Sequence, residues 1–223
     1  MRKILLKLVV LTLAWGAVCA LPSCQVAGAL MDRGGGGQPV DAKYVPSKQD
    51  SMLVLIDTYG LVLDSYIESQ HMAMTLDKSI TDDKIATVVD QNELEQLKDA
   101  NPADYPTMTI ADIGRKTGAK QVLYIHISRD EIQKPVGSSQ MRGHMEATVK
   151  IVDSATADTR WPPDAPSEAV QITTPWIDNG QNKSESDVRA LMADQMAENV
   201  EKLFKNYHIE EETPEENKVN VEE

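Results

Sequence analysis

The sequence predicts a single α+β domain: a mixed sheet containing an antiparallel hairpin, packed by helices that include one near the C terminus. Three observations carry this. Residues 121–128 (QVLYIHIS) hold bulky side chains on both faces, as a central strand requires. Residues 141–151 alternate, with Met141, Gly143, Met145, Ala147, Val149 and Ile151 on one face. Arg142, His144, Glu146, Thr148 and Lys150 fall on the other, which reads as a long antiparallel strand with one wet face. Residues 187–207 carry Val188, Leu191, Met192, Met196, Val200, Leu203, Phe204 and Tyr207 at three- and four-residue spacing, the stripe of a core-packing helix.

The remaining elements follow in chain order. Residues 51–57 (SMLVLID) are a short apolar run suited to a buried strand. Residues 61–78 place Leu63, Ile67, His71 and Met74 at helical spacing. Residues 86–90 (ATVVD) form a second short β-rich run, and Asp90 or Asn92 caps a helix that turns Leu94 and Leu97 inward. After Asn101-Pro102, Thr109 starts a short helix that ends near Gly118, a residue suited to a left-handed cap. Residues 153–167 contain three prolines and read as turn and loop, and residues 168–174 add a final strand. Ser184 with Asp187 resembles a capping box for the last helix. That helix carries Asp194, Glu198 and Glu201 on its polar face, so an anionic bilayer would repel it and packing in the core is its expected role.

Composition narrows the function classes. The chain has 223 residues, 41% of them hydrophobic, enough for a sizeable core. Its 35 acids against 22 cations give a net charge of -13, opposite to what phosphate binding requires, so no nucleic-acid partner is expected. Two cysteines, Cys19 and Cys24, exclude a disulfide framework and a Cys-rich zinc site.

Residues 1–23 read as an export signal. Arg2, Lys3 and Lys7 precede an apolar run from Leu8 to Leu21, and no acid appears before Asp32. The run is shorter than the ~20 apolar residues of a membrane span, so a signal anchor is the weaker alternative. Leu21-Pro22-Ser23-Cys24 resembles the lipobox of bacterial lipoproteins, with Pro22 a departure from its usual small residue. The resemblance implies that Cys24 carries a diacylglyceryl thioether and, after cleavage, an acylated amine. Two or three acyl chains anchor durably at about 0.8 kcal/mol per buried methylene. In Gram-negative lipoproteins an Asp after the cysteine often signals retention at the inner membrane, so Gln25 points to the outer membrane. Losing residues 1–23 removes three cations and no acid, leaving the rest more acidic still.

The expected organisation is therefore a signal peptide (1–23), a lipidated flexible tether (24–39), a globular domain (40–209) and an acidic tail (210–223). The tether contains four consecutive glycines, Gly34 to Gly37; a phosphate loop is excluded because no Lys-Ser pair follows. The tail holds seven acids and one lysine around Pro214.

The element order and two stretches carry a second resemblance. Residues 108–127 (MTIADIGRKTGAKQVLYIHI) put a short helix ending in Gly-Ala directly before a strand, and residues 86–97 (ATVVDQNELEQL) run from a short strand into a helix. The segment Val152-Asp-Ser-Ala-Thr-Ala-Asp-Thr, followed by Trp161, looks like a hairpin with an Asp-containing turn. Together they resemble the core shared by curli-secretion lipoproteins, the amino-terminal domain of the Tol-system propeller protein and the lipoprotein activators of penicillin-binding proteins. The chain looks most like uncharacterised lipoproteins of planctomycete-type bacteria. The resemblance spans about residues 50–205 and implies an envelope role. It supplies no catalytic residue, and nothing matches the amphipathic hairpins with which curli-secretion subunits build a pore.

The expectation is a non-enzymatic, cofactor-free envelope protein, lipid-anchored through Cys24, that binds an envelope protein partner. The candidate contact residues are Arg142, His144 and Glu146 on the wet face of the long strand, and Trp161 in a proline-flanked loop. Trp161 and Trp176 each suit either a contact point or a cover for one end of the sheet. A structural subunit of an oligomeric assembly is the first alternative. A metal-dependent hydrolase is the second: paired strands could bring His126, His144 and Glu146 to one face, although Arg142 and Lys150 there oppose a cation. No serine sits in a nucleophile elbow.

Overall fold

The computed structural model describes residues 37–58, 65–178 and 183–210. The expected export signal, Cys24, the expected tether up to residue 36 and the expected tail beyond Glu210 lie outside the described residues. Two units are distinguished, Pro39–Tyr207 and the flanking segments. Of the flanking segments, residues 37–38 and 208–210 are described; they form part of a two-stranded sheet of β1 (Gly37–Val40) and β9 (Tyr207–Glu210). The last residues of the expected tether, 37–39, are thus in a strand, because backbone pairing with β9 orders them.

The main unit is an α+β domain. Its elements are β2 (Ser51–Asp57), α1 (Ser65–Asp82), β3 (Thr87–Val88), α2 (Gln91–Ala100), α3 (Ile110–Lys116), β4 (Gln121–Gln133) and β5 (Gln140–Asp153). β6 (Thr159–Trp161), β7 (Glu168–Thr173), β8 (Ile177–Asp178) and α4 (Glu185–Glu201) complete it. The sheet runs β3-β2-β4-β5, with β6, β7 and β8 each pairing β5 on its far side. β2 is parallel to β3 and β4, while β5 is antiparallel to β4.

One face of the sheet carries the larger core. Met52, Val54, Leu123, Ile125, Met145, Val149 and Ile151 meet Met72, Leu76 and Ile80 of α1 and Met192, Met196 and Val200 of α4. The other face is covered beside β2 and the start of β4, where Leu53, Leu55 and Val122 pack on Leu94 of α2 and Ile113 of α3. β4 is therefore buried on both sides at its start, as its two bulky faces require.

The capping signals act as their chemistry dictates. Asp90 accepts from the Asn92 amide, and Thr109 with Asp112 and Ser184 with Asp187 form reciprocal capping boxes. Gly118 adopts φ +76° after α3, a conformation costly for any residue with a Cβ. Asp153 accepts from the amides of Ala155 (2.7 Å) and Thr156 (3.0 Å), closing the turn from β5 to β6. These bonds and the Arg160 guanidinium hold its carboxyl down at about 2. Arg160 also donates to Asp50 at 2.8 Å, tying this turn to the loop before β2.

Two expectations are corrected. The last helix ends at Glu201; Leu203 and Phe204 stay buried from the turn that follows, and Tyr207 begins β9. The stretch 153–167, read as turn and loop from its composition, contains β6, the second strand of the hairpin that the resemblance implied, because Ile151 and Val152 offer β5 edge positions that Trp161 and Thr159 occupy.

Candidate functional site

β5 sends Arg142, His144, Glu146, Thr148 and Lys150 to the face opposite α4, as alternation requires. What stands beside them depends on an irregularity in β4. The β4–β5 register shifts between Ile127 and Arg129, which makes Ser128 an extra residue. Such a bulge inverts the alternation beyond it. Before it, the odd residues Leu123, Ile125 and Ile127 point to the core. After it, Arg129, Glu131 and Gln133 stand opposite Glu146, His144 and Arg142, and Asp130 turns towards α4. There Asp130 meets Arg189 at 2.7 Å with only 3% of its side chain exposed.

The open face is a ladder of polar pairs. His144 Nε2 lies 2.9 Å from Glu146 Oε1, and its Nδ1 lies 2.9 Å from the Thr173 hydroxyl on β7. Arg129 donates to Glu146 at 3.0 Å. The His144 ring and the Arg129 guanidinium together hold the Glu146 carboxyl below its ordinary value. Arg142 donates through Nε to Gln133 at 2.9 Å, and its guanidinium sits 4.5 Å from the Trp176 ring centroid. Trp176 is 43% exposed.

His126 belongs elsewhere. Its cross-strand neighbour is Thr148, and the Arg129–Glu146 pair separates it from the His144 row. It faces Asp57 on β2 instead, Nδ1 to Oδ2 3.3 Å, and the Tyr124 hydroxyl donates to the same oxygen at 2.5 Å. Burial and then Asp57 push the Tyr124 hydroxyl well above its usual value. The convergence of His126, His144 and Glu146 that a zinc site needs is thus not formed. Among the described residues, no group of three His, Cys, Asp or Glu side chains is placed to hold a metal ion.

Trp161 is corrected as a contact candidate. It is 5% exposed and packs between Tyr44 and Phe204, with ring centroids 6.2 and 5.6 Å away. It covers one end of the core, because a large apolar ring at that end gains more by burial than by exposure. Trp176, the other tryptophan with two readings, is the one that reaches the open face.

A second feature lies at the carboxyl end of β2. The chain leaves β2 for α1 on one face of the sheet and leaves β3 for α2 on the other, so a crevice opens between them. A cavity of about 830 Å³ occupies it, lined by Leu55, Asp57, Gln91, Lys98, Tyr105 and Tyr124 among others. Burial pushes the Tyr105 hydroxyl up to about 12. Beside Tyr124, a smaller hollow of about 240 Å³ is bounded by His126, Thr148 and Lys150, with Pro166 and Ser167 across from them. Sequence reasoning missed the Asp57–Tyr124–His126 group, since only the parallel register Asp57↔His126 brings these residues together.

No protein-family model matches the chain, and no curated protein matches it. Similar folds occur among solved structures at low identity. Lipoprotein GNA1162 from Neisseria meningitidis is 16% identical, covering 68% of this chain and 98% of its own, with a TM-score of 0.44. The PelC dodecamer from Paraburkholderia phytofirmans is 12% identical, covering 77% and 99%, also at 0.44. The hypothetical protein CT253 from Chlamydia trachomatis is 11% identical, covering 69% and 95%, at 0.42. These likenesses are of fold alone.

Proposed function

We propose that this protein is a lipid-anchored component of a bacterial cell envelope, without enzymatic activity, that engages a protein partner through the open face of its sheet. The observation that carries the reading is Leu21-Pro22-Ser23-Cys24 directly after a basic start and an apolar run. Acyl chains on Cys24 tether the domain to a membrane, and Gln25 supports the periplasmic face of the outer membrane. The element order supports the narrower likeness to the curli-secretion, Tol-propeller and penicillin-binding-protein-activator core.

The open face supports the second half. Glu146 and Arg142 engage side chains on neighbouring strands, and Trp176 adds an exposed ring beside Arg142. Arginine and tryptophan together are the residues most enriched at interface hot spots. Trp176 takes the place that Trp161 held in the sequence-based reading.

Cys24→Ala tests the anchor. It should abolish incorporation of labelled palmitate and release the protein into the soluble envelope fraction. A wild-type chain that takes up no palmitate and fractionates like Cys24→Ala would overturn the reading. For the partner, a photo-crosslinker at position 142 in living cells should capture a discrete species, and the same probe at Lys78 on the outside of α1 should not. Equal capture at both positions would remove the open face as the contact surface.

A further inference from the structure

β7, Glu168–Thr173, forms an outer edge of the sheet. It pairs with β5 in an unshifted register from Glu168↔Val149 to Thr173↔His144, and among the described residues no other strand pairs with it. In antiparallel pairs, residues that exchange hydrogen bonds alternate with residues that do not. The Thr174 amide donates to the Gly143 carbonyl at 3.0 Å, which sets the phase. Glu168, Val170 and Ile172 therefore aim their backbone groups at β5. Ala169, Gln171 and Thr173 aim theirs outward, and all three are exposed.

Beyond Glu168, which pairs with Lys43, this edge lacks the usual protections. Natural edges are blunted by lysines, prolines, bulges or short length. Residues 169–174 (AVQITT) contain no charge and no proline, and Val, Ile and Thr are strong strand formers. Three outward N–H and three outward C=O groups form a template for one more strand.

We infer that the occupant is β7 of a second copy of this chain, antiparallel about a twofold axis at Gln171. With the axis there, Gln171 pairs with Gln171 of the second copy and Ala169 with its Thr173, so every outward backbone group is used. On the α4 side, Val170 meets Ile172. Glu168, the one charged residue of the strand, falls opposite Thr174. A chain with a net charge of -13 thus meets its copy here without directly opposed charges. An axis at Thr173 would put Gln171 opposite Pro175, which has no N–H, and an axis at Ala169 would leave Thr173 unpaired by the strand. The interface is isologous, as a closed dimer requires, and it stands whether or not Cys24 carries lipid.

The full-length chain extracted in detergent should sediment as a dimer. Gln171→Cys should link to itself on mild oxidation above the background of the parent chain, because directly opposed residues sit ~5.5 Å apart between Cα atoms, within disulfide reach. Ala169→Cys and Thr173→Cys should each fail to self-link, and should link to one another when mixed. Gln171→Pro removes an N–H that β5 does not use and should yield a monomer with an unchanged circular dichroism spectrum. Should that variant fail to fold, Gln171→Lys, which opposes two like charges at the axis, should give the same monomer. A parent chain that is monomeric at every concentration, Gln171→Cys linking no faster than the parent, or self-linking by Ala169→Cys would each overturn the proposal. The first outcome would leave the edge to a strand from a different protein.

Discussion

Gly143 and Met192 are in direct contact across the β5–α4 interface: a Cβ on Gly143 would lie 2.2 Å from the Met192 sulfur and 2.5 Å from its Cγ. Met192 is fully buried, so it has nowhere to retreat. The inward face of β5 needs a residue without a side chain here, because α4 fills the space one would take. Gly143→Ala should destabilise the domain by about 1–3 kcal/mol, the usual cost of overpacking. Met192→Ala alone should cost about 2–5 kcal/mol by opening a cavity. The double variant should lose less than the sum of the two, as measured by urea denaturation. Strict additivity would show that the two residues do not compete for one space.

Val200 lies fully buried on α4, whereas Glu198 is exposed and paired with Lys202 at 2.7 Å. Val200→Asp buries a charge without a partner and should cost more than about 4 kcal/mol, enough to unfold a marginal domain. Glu198→Ala should leave the thermal midpoint essentially unchanged. Equal midpoints for the two variants would show that this helix does not pack on the sheet through Val200.

Arg142, His144 and Glu146 can be removed together. Their bonds, His144 to Glu146 and the rest to residues on neighbouring strands, lie on an open face, where ion pairs contribute little. The triple alanine variant should keep the wild-type thermal midpoint and lose partner capture by a photo-crosslinker at Gln140, the exposed residue two positions before Arg142 on the same strand. A large loss of stability would mean that a further layer covers this face.

Asp77 on α1 is held up at about 7, first by burial and then by the nearby Asp90 charge, against the opposing Gln91 hydrogen bond. Its folded value lies above its unfolded value, so the folded state binds more protons between them. The sign follows from linkage: stability should fall as pH rises from about 4 to about 7 and then level off. Asp77→Asn should remove this slope and raise the thermal midpoint at pH 8 more than at pH 4. A midpoint difference independent of pH would show that Asp77 is not strained by burial.

The pairing of Asp57 with His126 shows how far one chain can be read without its fold. Both residues were visible, yet their meeting depends on the parallel register of β2 and β4. The same holds for His126 and His144. Their parity puts both on one face, but a two-residue period says nothing about how far apart they lie along it.

Local signals sufficed wherever the physics is local. The Thr109 and Ser184 caps, the left-handed Gly118, the alternation of β5 and the stripe of α4 each depend on residues within a few positions of one another, so the sequence by itself determined them, along with the α+β class. The proposed address in residues 1–24 rests on the sequence alone. Tertiary structure decided what depends on distant partners. The Ser128 bulge turned Asp130 to Arg189 and Arg129 to Glu146, which no periodicity in β4 announces. Trp161 was buried by Tyr44 and Phe204, and Trp176 was left beside Arg142. β7 became an edge because β5 had one side to offer and three short strands shared it. Register, bulges and edges are choices between pairings of similar local energy, and only the packing of the whole sheet against α1 and α4 selects among them.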